Sequence, residues 1–150
     1  MLNTTESILT HEQPSPSVHV LRFIRPDLRR ELDPIADDDT PLCRALMSCL
    51  EDLGEGQHVV LNFAIIERFP TSFFQVLLRV RQFVRGRQGQ IYLCGFRPEI
   101  RNAVELMGGA RLFTLLNDEA QALDLIRREA GESSRELRSE EHTSELQSQF

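Results

Sequence analysis

No apolar run in this 150-residue chain approaches the roughly 20 residues needed to cross a bilayer. The longest, Val59–Ile66, is far shorter, and the opening MLNTTESILTHEQPSPS lacks the basic-then-apolar order of a secretory signal. Neither membrane insertion nor export is expected. Cysteine is scarce: Cys43, Cys49 and Cys94 form neither a CxxC pair nor an even disulfide framework, which fits reduced thiols in a cytoplasm. Positive charge is in deficit as well. A net charge of −6 argues against nucleic-acid binding, which needs a basic face.

Patterns that carry chemistry are equally sparse. His11, His19, His58 and His142 are scattered, and none has a partner at the spacing of a helical zinc motif. Gly54-Glu55-Gly56 follows a predicted helix and precedes a predicted strand, the reverse of the dinucleotide-loop order. Cys94 falls at the end of a predicted strand, where α/β active sites gather, but its apolar neighbours make it a core thiol. Asp37, Asp38 and Asp39 are adjacent carboxylates without further ligands, the pattern of a solvated loop rather than a metal site. No catalytic residue, metal or cofactor is expected.

What is present is an ordinary globular balance, 41% hydrophobic and 27% charged, in a length that suits one domain. Residues 1–17 are polar and proline-bearing and read as a flexible lead-in to a domain spanning 18–130. Val18–Ile24 predicts a first strand. Thr40-Pro41 starts a helix, with threonine as N-cap, and Leu42, Leu46, Cys49, Leu50 and Leu53 form its apolar face up to Gly54. His58–Ile66 is almost continuously apolar, which predicts a central strand buried on both faces. Phe73, Val76, Leu77, Val80, Phe83 and Val84 give a second helix, and Gln90–Phe96 another buried strand. A third helix runs from Pro98 to Gly108, Arg111–Leu116 is a short strand, and Asn117 caps a last helix that turns Ala120, Leu123 and Ile126 inward. Strands alternating with helices imply an α/β class: a small layered domain with a mixed, mostly parallel sheet and about four helices. Residues 131–150 form a polar tail. Within it, RSEEHTSELQSQF (Arg138–Phe150) resembles a sequencing adapter translated in frame, and setting it aside moves the net charge to −4.

The stretch ERFPTSFFQVLL (Glu67–Leu78) stands apart, with two hydroxyls behind a proline at a helix start. With Ser72 as N-cap, Ser72 and Gln75 form an S-x-x-Q capping box, worth about 1 kcal/mol. The same helix end would tolerate a phosphate. Phe73 and Phe74, about 100° apart on a helix, predict one ring in the core and one bordering the loop. The arginines of RVRQFVRGR (Arg79, Arg81, Arg85, Arg87) predict a solvated helix face suited to an acidic partner.

VVLNFAIIERFPTSFFQVLL and GQIYLCGFRPEIRNAVELMGGARLFTLLNDEAQAL, with their spacing, resemble the STAS domain (sulfate transporter and anti-sigma factor antagonist) over about residues 18–128. Asn62 stands at the family's strand-end aspartate, and Pro70 at its motif aspartate. Thr71 and Ser72 match the two motif serines, and Phe73 and Gln75 stand at two glycines. The resemblance implies a bacterial, cytoplasmic protein that binds an anti-sigma factor or serine kinase and performs no chemistry of its own. It implies Ser72, with Thr71, as a phosphorylation candidate. It also implies docking through Arg68, Pro70, Thr71, Ser72, Phe73, Phe74, Gln75, Arg79 and Gln82. Pro70 and Phe73 leave an alternative open: a phosphorylation-silent scaffold or small-ligand sensing module in a signalling assembly.

Overall fold

A computed structural model describes residues 8–33 and 40–139, with side chains through residue 129. The acidic run Asp37–Asp39 and residues 140–150 of the tail lie outside the described residues. Five strands, β1 (Leu9–Ser15), β2 (Val18–Phe23), β3 (His58–Asn62), β4 (Ile91–Cys94) and β5 (Thr114–Leu116), lie side by side in chain order. β1 is antiparallel to β2, and every later pairing is parallel. Helices α1 (Pro41–Cys49), α2 (Thr71–Gly86) and α3 (Pro98–Leu106) occupy the three crossovers. A short α4 (Gly109–Leu112) precedes β5, and α5 (Glu119–Ser139) ends the described chain.

This order has a consequence for the layers. The parallel strands advance in one direction, and right-handed crossovers then place α1, α2 and α3 on the same face. The other face must be covered by something else. α5 does so, burying Ala122 and Ile126 against Val18, Val20, Val60, Tyr92 and Cys94. Alternation along each strand separates the layers: Val59, Leu61, Ile91 and Leu93 belong to the core beneath α1–α3. β3 therefore reads as an unbroken apolar run because both of its faces are covered.

Several elements differ from the sequence reading. The supposed lead-in contains β1, which pairs Leu9 with Phe23 and Ser15 with Val18, its register shifting between Glu12 and Ser15. An edge strand pairs on one side only, so polar residues and Pro14 at an irregular register are compatible with it. Thr40 does cap α1, its hydroxyl accepting from Cys43 N at 3.0 Å, but the helix stops at Cys49, with Leu50 and Leu53 still in the core. β3 ends at Asn62 because the Asn62 side chain accepts from Ala64 N at 2.8 Å and turns the chain. Likewise Arg111 and Leu112 close α4 and leave β5 with three residues. At the start of α5 Asp118 acts as the cap, accepting from Gln121 N at 2.8 Å. Gln121 in turn accepts from Asn117 N at 2.7 Å. Ala122, not Ala120, faces the core. The α5 backbone continues to Ser139, through residues expected to form a polar tail.

Close backbone approach decides one glycine. A Cβ on buried Gly89 would lie 2.1 Å from the carbonyl oxygen of Gln57, so only glycine lets the α2–β4 turn pass the start of β3.

The amino edge of the parallel strands carries a polar network. Gln57 Oε1 accepts from Gly54 N at 2.6 Å and lies 3.0 Å from His19 Nε2. An amide oxygen can only accept, so the His19 proton sits on Nε2 and its Nδ1 accepts from His11 Nε2 at 2.9 Å. Burial, reinforced by His19, depresses the affinity of His11 for a proton. Burial also depresses that of His58, against the pull of Glu129. For both groups the unfolded chain binds more protons just below the ordinary histidine range, so stability rises with pH there. Urea midpoints should therefore fall between pH 7.5 and 5.5. A His11→Gln/His58→Gln variant should lose most of that slope; an undiminished slope would assign it to other groups.

Candidate functional site

Ligands of open α/β sheets bind beyond the carboxyl ends of the strands. Here those ends carry three loops that are tied together. Glu67 N donates to Pro26 O at 2.9 Å, Arg68 lies 3.5 Å from the Asp27 carboxylate, and Arg97 reaches Glu67 at 3.4 Å. From these loops Ile24 and Ile65 each expose 39% of their surface. Beneath them lies an aromatic cluster. Phe63 stacks on Phe96 at 4.4 Å, Phe69 stacks on Phe73 at 4.7 Å, and Phe23 contacts Phe63 at 4.9 Å and Phe73 at 5.4 Å. Phe63 and Phe73 are fully buried, each contributing about 1.5–3 kcal/mol by burial. The cluster fixes the first turn of α2 against the sheet.

That turn differs from the sequence reading in two respects. α2 begins at Thr71, with Pro70 in the N-cap position and no side-chain cap bond. Ser72 is thus the second helical residue, and the Ser72–Gln75 capping box does not form. A proline fixes the extended φ an N-cap needs but offers no acceptor, and its presence moves the cap two residues earlier than the serine signal suggests. Phe73 and Phe74 are both buried, which removes them from any docking surface. Phe73 enters the phenylalanine cluster, while Phe74 meets Phe113 edge-on at 5.9 Å. α2 lies between the sheet and the α4–β5 segment, so its apolar arc is wide enough for both rings.

The remaining residues of the implied surface divide. Arg68, Thr71, Gln75, Arg79 and Gln82 are exposed, whereas Pro70 and Ser72 are half-buried. Ser72, Gln75 and Arg79 share one helix face and line a cleft of about 450 Å³, closed on its far side by Leu32, Thr40 and Cys43. Gln82 is not among the residues lining that cleft. Ile24, Ile65 and Phe96 were missed because single apolar residues at strand ends carry no periodic signal. Of the arginines predicted to be solvated, Arg81 donates to Leu112 O at 2.6 Å and Arg87 to Leu53 O at 3.2 Å while lying over the Phe83 ring. Only Arg79 and Arg85 are freely exposed.

Asn62, at the end of β3, joins the site to α5. Its Nδ2 donates to Glu119 at 2.5 Å, and Arg22 grips the same carboxylate with bonds of 2.6 and 2.9 Å. Arg22 first, then Asn62, holds the Glu119 carboxyl below the usual range despite burial. Gly95, with φ of 80°, completes the arrangement: a Cβ there would sit 2.7 Å from Asn62 Oδ1. Cys94 is buried, and burial pushes its thiol up to about 12, far from a nucleophile's range. Among the described residues no three His, Cys, Asp or Glu side chains are placed to share a metal.

Replacing Glu119 strips partners from Arg22 and Asn62 together. Glu119→Ala should cost about 1–3 kcal/mol in urea unfolding, with the m-value kept, and Glu119→Gln should cost less. Equal stability of all three proteins would show that α5 is held by its apolar contacts alone.

Comparison with known proteins agrees with this geometry. The STAS domain family matches residues 22–122. A Bordetella bronchiseptica protein, BtrV, provisionally named an anti-sigma factor antagonist, is 30% identical over 71 residues, 47% of this chain and 60% of BtrV. The match thus spans less than two thirds of that relative's length. An anti-sigma-factor antagonist (STAS) domain protein from Planctomyces limnophilus superposes with a TM-score of 0.62 at 17% identity, over 79% of this chain and 96% of its own. The anti-sigma factor antagonist SpoIIAA in its unphosphorylated form gives 0.60 at 16%, again over 79% and 96%. At such identities the superpositions establish the fold. No described helix is long and apolar enough to cross a membrane. The match across most of the chain, on this fold, settles the family: the protein belongs to the STAS domain family.

Proposed function

We propose that this protein is a bacterial, cytoplasmic anti-sigma factor antagonist that docks on an anti-sigma factor or serine kinase and performs no chemistry of its own. One observation carries the reading. At the carboxyl edge of the sheet, exposed Ile24 and Ile65 sit on tied loops next to the start of α2, whose Ser72, Gln75 and Arg79 line an open cleft. Apolar anchors beside polar, hydroxyl-bearing residues suit a protein contact better than a reaction centre. The name borne by BtrV and the fold shared with SpoIIAA point the same way.

The docking surface comprises Ile24, Ile65, Arg68, Thr71, Gln75 and Arg79, with Pro70 and Ser72 set slightly deeper. Ser72 is the phosphate acceptor and Thr71 its exposed neighbour. Phosphate would bring roughly −1.5 to −2 charges to the helix N-terminus, where the dipole accepts them. In a closed interface the same dianion costs several kcal/mol wherever the partner brings no counter-charge to it. Even about 3 kcal/mol weakens affinity more than a hundredfold. Phe73, bulky where the resemblance implies a glycine, is turned into the core, away from the exposed surface.

Two measurements test this reading. Ile65→Asp should weaken binding to an anti-sigma factor of the source bacterium by at least about tenfold, as expected for an interface anchor. Its stability should stay within about 0.5 kcal/mol of wild type; unchanged affinity would remove the docking assignment. After incubation with ATP and a partner kinase, phosphate should appear on Ser72 within the tryptic peptide Phe69–Arg79. Ser72→Asp should bind the partner less tightly than Ser72→Ala. An unmodified peptide together with equal binding of the two variants would leave a constitutive docking module.

A further inference from the structure

On the opposite flank of α2 a second hollow, of about 220 Å³, is bordered by Arg81, Arg85, Gln90, Arg111 and Thr114. Three arginines from α2 and α4 thus border one hollow, in a chain whose net charge is −6. Among the described residues no carboxylate lines the hollow. Among the described residues none of the three arginines is paired with an acidic side chain, although Arg22, Arg25, Arg29, Arg68, Arg97, Arg101 and Arg128 all are. Arg81 is held in place by its bond from Nε to the Leu112 carbonyl, which leaves its terminal nitrogens free of that contact.

We infer that this hollow is an anion site that takes a phosphate group carried on a small molecule. Like charges gathered without a counter-ion repel one another, and a bound dianion converts that repulsion into attraction. Guanidinium forks match phosphate oxygens with paired bonds, and Gln90 and Thr114 add neutral donors at the rim. The hollow is below the roughly 300–1,000 Å³ of sites for larger ligands, so a phosphate or pyrophosphate fits it and a bulky molecule does not. The site shares none of the residues of the Ser72 cleft and does not depend on the docking assignment.

Calorimetric titration of the full chain at low salt, with inorganic pyrophosphate and separately with inorganic phosphate, tests this directly. Saturable one-to-one binding is expected, stronger for pyrophosphate. Arg85→Gln and Arg111→Gln, whose side chains are exposed, should each weaken it at least about tenfold, the scale of one lost charge-assisted bond. Arg79→Gln, which removes the same charge from the other cleft, should leave it unchanged. Circular dichroism and melting of the three variants identify any loss that comes from unfolding. Absence of saturable binding at millimolar ligand overturns the assignment. So does equal weakening by Arg79→Gln, which would mark diffuse electrostatic attraction.

Discussion

The carboxylate of Glu119 is the tie on which both sides of this sheet depend. Arg22 from β2 and Asn62 from β3 reach it together, so the first turn of α5 is fixed to two neighbouring strands at their carboxyl ends. The apolar contacts of Ala122 and Ile126 then follow from where that turn begins. Asn62 serves both ends of the arrangement. Its amide nitrogen holds Glu119, and its oxygen caps the turn that leads from β3 towards α2. That oxygen also fills the space beside Gly95, so the exit from β4 is shaped by the same side chain. An aspartate at this position would hold the turn equally well but would present a second negative charge to Glu119. Asparagine and the Arg22–Glu119 pair are therefore a consistent set.

On the other face the constraint is topological before it is chemical. Three crossovers of one hand fill one layer, and α2 becomes its middle helix. A middle helix buries a broad arc, which explains why Phe73 and Phe74 both turn inward and why the surface left to α2 is narrow. That surface is polar: Ser72, Gln75 and Arg79 along one side, Arg81 and Arg85 along the other. Apolar contacts for the proposed docking then have to come from loops, where Ile24 and Ile65 are exposed. The aromatic cluster beneath makes those loops firm supports, since Phe63 and Phe69 stack directly on rings of the strand ends and of α2.

Much of this was legible in the sequence, for definite reasons. Continuous apolar runs at β3 and β4 reported burial on both faces, and Thr40-Pro41 announced the start of α1 because capping chemistry is local. Three features were not legible. β1 is polar because an edge strand is held by backbone pairing, which leaves little mark on side-chain pattern. The start of α2 was displaced by two residues because Pro70 sets the geometry of a cap without the hydrogen bond that a sequence signal depends on. The division of the arginines was hidden as well: helical spacing assigns Arg81 and Arg87 to a solvent face, but the carbonyls of Leu112 and Leu53 come from segments distant in the chain. Local chemistry can be read from spacing; contacts made by the far side of the fold cannot.

Pro70 and Phe73 take on meaning in this setting. At the head of α2 an aspartate would itself be a strong N-cap and would satisfy a backbone donor within the protein. Pro70 cannot, and no other side chain caps the helix here. Phe73 N donates to Pro70 O at 2.9 Å, and the Thr71 and Ser72 N–H groups ahead of it are left to water, to the proposed phosphate, or to an acceptor brought by a partner. The exchange gives up about 1 kcal/mol of capping and leaves that binding capacity at the surface. Phe73 adds stability from the opposite direction through its fully buried ring. The first turn of α2 is therefore anchored from below by aromatic packing and left open above, the condition under which a helix end can be both rigid and available for recognition.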